Sequence, residues 1–107
     1  MAQFDVHINL GRNRSTVPYV VNVQSRRFDA AGTRLVAPLM RQAGLRDADP
    51  GLAPKFVIRI DSVFLNPLLL FAAPVSALGP VVASLSADQD ASRIIAAIDQ
   101  VISQAFG

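Results

Sequence analysis

Along the chain the hydrophobic period changes once, from two to about 3.6. Phe4, Val6, Ile8 and Leu10 alternate with Asp5, His7 and Asn9, the pattern of a strand with one wet face. Residues 19–24 are β-branched and apolar enough for a second strand, and the polar, arginine-bearing stretch 11–16 between them closes a hairpin. Residues 25–32 are polar around Phe28 and end in Ala31-Gly32, which predicts another turn. A short third strand over 34–37 follows, paired with the second and stopped by Pro38. A loop over 41–54 leads to a fourth strand over 55–60, with Asp61-Ser62 as a tight turn into a buried fifth over 63–71. A Pro- and Gly-punctuated connection comes next.

The last segment is helical in period. Ile94, Ile98, Val101 and Ala105 form one stripe, with Ile95, Ile102 and Phe106 beside it. Ser86 followed by Gln89 is a capping-box pattern for the helix start, and Asp88 and Asp90 complement the positive end of its dipole. Strands followed by one helix predict a mainly β fold with a C-terminal α-helix. The expected sheet is antiparallel, curved or SH3-like barrel in kind, with about five strands and the helix packed across it.

At 107 residues the chain fits a single domain over 1–107. A hydrophobic content of 51% and a mean hydropathy of +0.37 are high for so small a body, and a homodimer interface is the economical place for the surplus. The net charge is only +2, and the basic residues, all arginine except Lys55, are spread from Arg12 to Arg93 rather than blocked together. Direct nucleic-acid binding is therefore not expected. Residues 62–87 carry no charge and could span a bilayer by length, but Pro67, Pro74 and Pro80, with Asn66, Ser76 and Gly79, would break such a helix repeatedly. No membrane association is expected, and an N-terminus without signal-peptide features gives a cytoplasmic default.

Catalytic constellations are sparse. The absence of cysteine removes thiol chemistry, and a lone His7 with only Asp5 near it in register makes no triad and reads as a bystander. Asp88, Asp90 and Asp99 are explained by helix capping and a wet helix face rather than by a metal. A histidine-free nuclease built on Arg12, Arg14, Ser15 and Thr16 is conceivable, since arginines and hydroxyls can stabilise a transferring phosphate.

Taken in order, Gln3-Phe4, Val23-Gln24-Ser25, Asp29, Gly32, Arg34, Val36 and Pro38-Leu39 resemble the opening half of a CcdB-family toxin. The stretch Ala73-Pro74-Val75-Ser76-Ala77-Leu78-Gly79 is similar to that family's Val-Pro-Val-Ser motif, Ala83-Ser84-Leu85-Ser86 to its Ala-x-Leu-Ser, and Ile94-Ile95-Ala96-Ala97-Ile98-Asp99 to its terminal helix. The resemblance spans nearly the whole chain. It implies a homodimeric toxin of a type II toxin–antitoxin system that binds the A subunit of DNA gyrase, is neutralised by a CcdA-like antitoxin, and needs no cofactor.

The same resemblance assigns gyrase contact to particular positions and exposes departures there. Helix register without a gap brings Asp99, Ile102, Ser103, Gln104 and Ala105 to the family's gyrase-contacting positions, where its tryptophan and glycine are missing. A shift of three residues instead puts Phe106 and Gly107 in the aromatic-Gly role, about 4.5 Å further along the axis. Arg27 and Phe28 fall where the family has apolar residues near gyrase, so Arg27 brings a charge into an apolar slot. Two alternatives stay open: a relative that binds antitoxin without poisoning gyrase, and a MazF-type ribonuclease using Arg12, Arg14 or Arg34.

Overall fold

The computed structural model describes residues 2–42 and 51–102. Among these residues seven strands, β1 (Asp5–Asn9), β2 (Tyr19–Asn22), β3 (Thr33–Met40), β4 (Lys55–Ile58), β5 (Asp61–Leu65), β6 (Phe71–Pro74) and β7 (Leu78–Ser84), precede one helix, α1 (Asp88–Ile102). They form a curled antiparallel half-barrel in the order β4-β5-β3-β2-β1-β7, with β6 also paired to β3. The mainly β fold with a C-terminal helix is as expected; the strand number is larger than the five anticipated.

The two extra strands come from the uncharged segment. The fifth strand ends at Leu65, where Asn66 accepts from the Leu68 backbone N–H and starts a 3-10 turn over Pro67–Leu69. The stretch expected as a connection then supplies β6, a second 3-10 turn over Val75–Ala77, and β7. Alternation is weak there because proline and alanine occupy so many positions.

Pro38 does not stop β3. Val23 N–H donates to Leu35 O, which sets the odd-numbered residues of β3 as the ones bonded to β2 and turns the nitrogen of Pro38 the other way. On that side β3 pairs with β6 through Val36 and with β5 only from Leu39. Pro38 occupies the junction between two partners, where no ladder donor is required.

The hairpin turn between β4 and β5 also differs from expectation. Ile58 pairs with Asp61, so the loop is Arg59-Ile60 and not Asp61-Ser62. Arg59 has a φ of 58°, the sign that primed hairpin turns need at their first central residue. No glycine or asparagine marks the site, so the turn has no local sequence signal.

The core is built on one face of the sheet. Val6, Val21, Ala37, Leu39, Val63 and Leu65 are buried together with Phe4, Phe56, Ile58 and Leu85, and α1 closes this face with Ile94 and Ala97. Arg93 pins the helix to β4, donating to Lys55 O at 2.7 Å with its guanidinium 4.5 Å from the Phe56 ring centroid. The helix begins at Asp88, so Ala87, whose carbonyl takes the Ala91 N–H, stands at the N-cap position expected for Ser86, and Ser86 Oγ instead accepts from Ser84 Oγ at 2.8 Å.

Part of the opposite face, over β1, β2 and β3, is buried as well. Cross-strand register puts His7, Val20, Asn22, Val36, Arg34 and Ala73 on it, and Val20, Val36 and Ala73 form a second small apolar cluster. His7 is enclosed there, not wet, at 1% exposure. Its Nδ1 lies 2.9 Å from Gly79 O. A carbonyl only accepts, so the ring proton sits on Nδ1, and the buried Nε2 has no partner among the described residues.

At Gly79 the β7 backbone passes close against β1. A Cβ built on it would stand 2.5 Å from Ile8 O, a backbone atom that cannot swing aside. Gly79→Ala is expected to destabilise the fold by roughly 1–3 kcal/mol through overpacking. A urea titration with an unchanged slope and a lower midpoint would bear this out, and an unaltered midpoint would refute it.

One polar network ties the far end of the sheet. Tyr19 Oη donates to Asp61 Oδ2 at 2.6 Å, and Arg41 Nη1 reaches Asp61 Oδ1 at 2.8 Å while its Nε donates to Ser15 O. The Tyr19 hydroxyl and then the Arg41 guanidinium hold the Asp61 carboxyl below its usual range, and burial followed by the Asp61 hydrogen bond raises the Tyr19 phenol. A lowered folded value means that Asp61 contributes its full stability above the ordinary value of 3.8 and loses it as pH falls through the folded value. Asp61→Asn should thus be less stable than the parent at neutral pH, with the gap narrowing below that point. A gap that stays constant into acid would contradict the assignment.

Candidate functional site

Two groups of exposed side chains stand out against this framework, and each follows from a local feature of the sequence. The first is the 3-10 turn Arg26–Phe28 between β2 and β3. Ser25 Oγ accepts from Arg27 N–H at 3.3 Å, an ordinary cap that starts the turn. Residues 25–33 are exposed throughout, so no buried apolar side chain holds this segment. Phe28 is 56% exposed, and the Arg27 guanidinium carbon lies 5.8 Å from its ring centroid, within cation–π reach.

The second group lies on the flank of α1. Ile94 and Ala97 face the core, which turns Ile95, Asp99 and Ile102, at helical spacing, to the outside. Ile102 is 63% exposed. Val23, just beyond β2, joins Ile95, Ile98, Asp99 and Ile102 to line a shallow groove. Phe28 is five positions after Val23, so the aromatic stands within roughly 18 Å of that groove.

Of the residues that the sequence singled out for gyrase contact, Arg27 and Phe28 thus share one turn, and Asp99 and Ile102 share one groove. Ser103, Phe106 and Gly107 lie outside the described residues. The contribution of Val23 and Ile98 to the groove was not read from the sequence, because it depends on how α1 crosses the sheet.

The candidates for nuclease chemistry fall in two separate places, one exposed turn and one buried arginine. Arg34 is buried at 5% exposure, with its terminal nitrogens on the carbonyls of Asp29, Ala31 and Thr33. Arg14 donates to Gly11 O, Thr16 Oγ1 to Asn13 O, and Ser15 O is taken by Arg41, all within or beside one exposed turn. His7 is enclosed with its free nitrogen facing no solvent. Among the described residues no group of three or more histidines, cysteines or carboxylates could hold a metal ion, and no helix is long and apolar enough to cross a membrane.

Small half-barrel proteins of SH3-like architecture, with one helix laid on the sheet, are the class that these features define. Within it the chain belongs to the CcdB family: the model of that family, described as CcdB protein, matches residues 3–103. The family is one of gyrase-poisoning toxins from toxin–antitoxin systems and not a family of enzymes. No curated protein matches the chain significantly.

Proposed function

We propose that this chain is the toxin of a type II toxin–antitoxin system, acts as a homodimer on the A subunit of DNA gyrase, and is neutralised by a CcdA-like antitoxin. The observation that carries the reading is the exposed Phe28 on a 3-10 turn near an apolar helix groove, in a chain of this family. Exposed aromatics that become buried on contact supply a large share of binding energy at protein interfaces. The exposed Leu35, Leu68, Leu69, Phe71 and Val81 support a second copy as partner, since so much apolar surface is unusual on a small monomer.

Little chemistry is asked of such a toxin. Binding one conformation of gyrase more tightly than the others is sufficient to accumulate it, and the gain is limited to that difference in affinity. Arg27, Phe28, Asp99 and Ile102 are the described residues assigned to the contact, with Ser103, Phe106 and Gly107 extending it. A second reading, a relative that binds antitoxin without poisoning gyrase, is favoured by the charge of Arg27 and by Ser103 where the family has its aromatic.

Purified protein added to gyrase should reduce supercoiling and accumulate trapped, cleaved DNA, with total RNA left intact in parallel. Reduced supercoiling without trapped DNA would make it a blocker. No effect on gyrase would favour the antitoxin-binding relative, and cut RNA would overturn the non-enzymatic reading.

A further inference from the structure

The turn that presents Arg27 and Phe28 raises a physical question, because nothing apolar anchors it. Every residue from 25 to 33 is exposed, yet the segment folds back on itself with Phe28 N–H on Ser25 O, Asp29 N–H on Arg26 O and Ala31 N–H on Phe28 O. Three such bonds in water do not by themselves hold an exposed segment in one shape, since the solvent competes for each of them.

Two side chains from the flanking strands supply the rest. Arg34 of β3 sends Nη2 to Asp29 O at 2.5 Å, and Nη1 to Ala31 O at 2.6 Å and to Thr33 O at 3.0 Å. Among the described residues no carboxylate pairs with this buried guanidinium; loop carbonyls take its charge. Its Nε–H is buried without a partner among the described residues, while the terminal nitrogens stay on the loop. Gln24, just past β2, spans the mouth of the same loop. Its Nε2 donates to Phe28 O at 2.9 Å and Thr33 O at 3.2 Å, and its Oε1 accepts from Leu35 N–H at 2.9 Å.

We propose that Arg34 and Gln24 are positioning residues for partner binding: they clamp the loop carbonyls from both sides and so keep Arg27 and Phe28 in a preformed, binding-ready turn. The proposal rests on the reading that Arg27 and Phe28 meet gyrase. A preformed turn spares the ordering cost that a loose loop would incur on contact. Arg34 and Gln24 then influence affinity without touching the partner, which separates them from Phe28 itself. A lysine at 34 cannot reproduce the fork, because one ammonium cannot serve Asp29 O and Ala31 O from two planar nitrogens.

The test uses Arg34→Met, which keeps an apolar stem and removes the fork, and Gln24→Met, which does the same on the other side. Amide exchange at Phe28, Asp29 and Ala31 should accelerate by about tenfold or more while amides of Val6 and Val21 hold their rates. Affinity for gyrase should fall by about tenfold, and adding Phe28→Ala to Arg34→Met should cost under about threefold more, far less than in the parent. Arg34→Lys should fall between parent and Arg34→Met. Unchanged loop exchange, or a full Phe28→Ala penalty in both backgrounds, would overturn the clamp. Should Arg34→Met fail to fold, the same readings on Gln24→Met decide the matter. If the parent does not bind gyrase at all, the functional reading fails, whereas loop exchange still judges the clamp by itself.

Discussion

Replacing Phe28 by alanine is expected to weaken binding to gyrase by about 30-fold, the equivalent of a hot-spot residue, with thermal stability almost unchanged. The two halves of that expectation have one cause. Phe28 is more than half exposed and belongs to neither apolar cluster, so the free fold gains little from its ring. A partner that covers the ring gains its apolar area and desolvates the neighbouring Arg27 guanidinium against it. Titration calorimetry against purified gyrase, run beside a thermal melt, separates the two. An unchanged affinity would remove Phe28 from the interface, and a large fall in melting temperature would make it a structural residue.

Ile94→Ala should act in the opposite sense, lowering stability by roughly 2–5 kcal/mol. Ile94 is fully buried where α1 meets the sheet, beside Ala97 and against the cluster that includes Phe56, Leu65 and Leu85. Truncation there leaves a cavity that rigid strands on the other side cannot fill. Ile95 is the control, one residue along and mostly outside, and Ile95→Ala should cost under about 0.5 kcal/mol. Both are read from denaturant midpoints at one fixed protein concentration, because an associating chain is stabilised by mass action. Equal costs at the two positions would mean that α1 is docked through a different face.

How much of this was legible in the sequence depends on where alternation survives. The first two strands, the fourth and the terminal helix show clear periods, and each element is present. β6 and β7 escape because Ala72, Ala73, Pro74, Gly79 and Pro80 blur any alternation, and their pairing with β3 and β1 is a long-range event. Pro38 misleads for a related reason: a proline stops a strand only if its nitrogen faces a ladder partner, and that depends on which strand lies alongside. His7 reads as wet from its polar neighbours, yet the part of the second face around it is buried too.

The site divides in the same way. Arg27, Phe28, Asp99 and Ile102 were singled out by resemblance, and nothing in periodicity would have chosen them. The groove over Val23 and Ile98, and the hold of Arg34 and Gln24 on the loop carbonyls, arise only when strand ends and helix are brought together. Arg34 illustrates the point: a charged residue in a strand reads as surface or as catalytic, whereas here it is buried against three carbonyls.

The most direct test of the central claim is sedimentation of the purified chain mixed with the isolated gyrase protein that it is proposed to bind, each at about 10 μM. The account predicts a new, faster species containing both proteins, lost when Phe28→Ala is used at the same concentration. Two boundaries that sediment independently, each as in its own control, would contradict it.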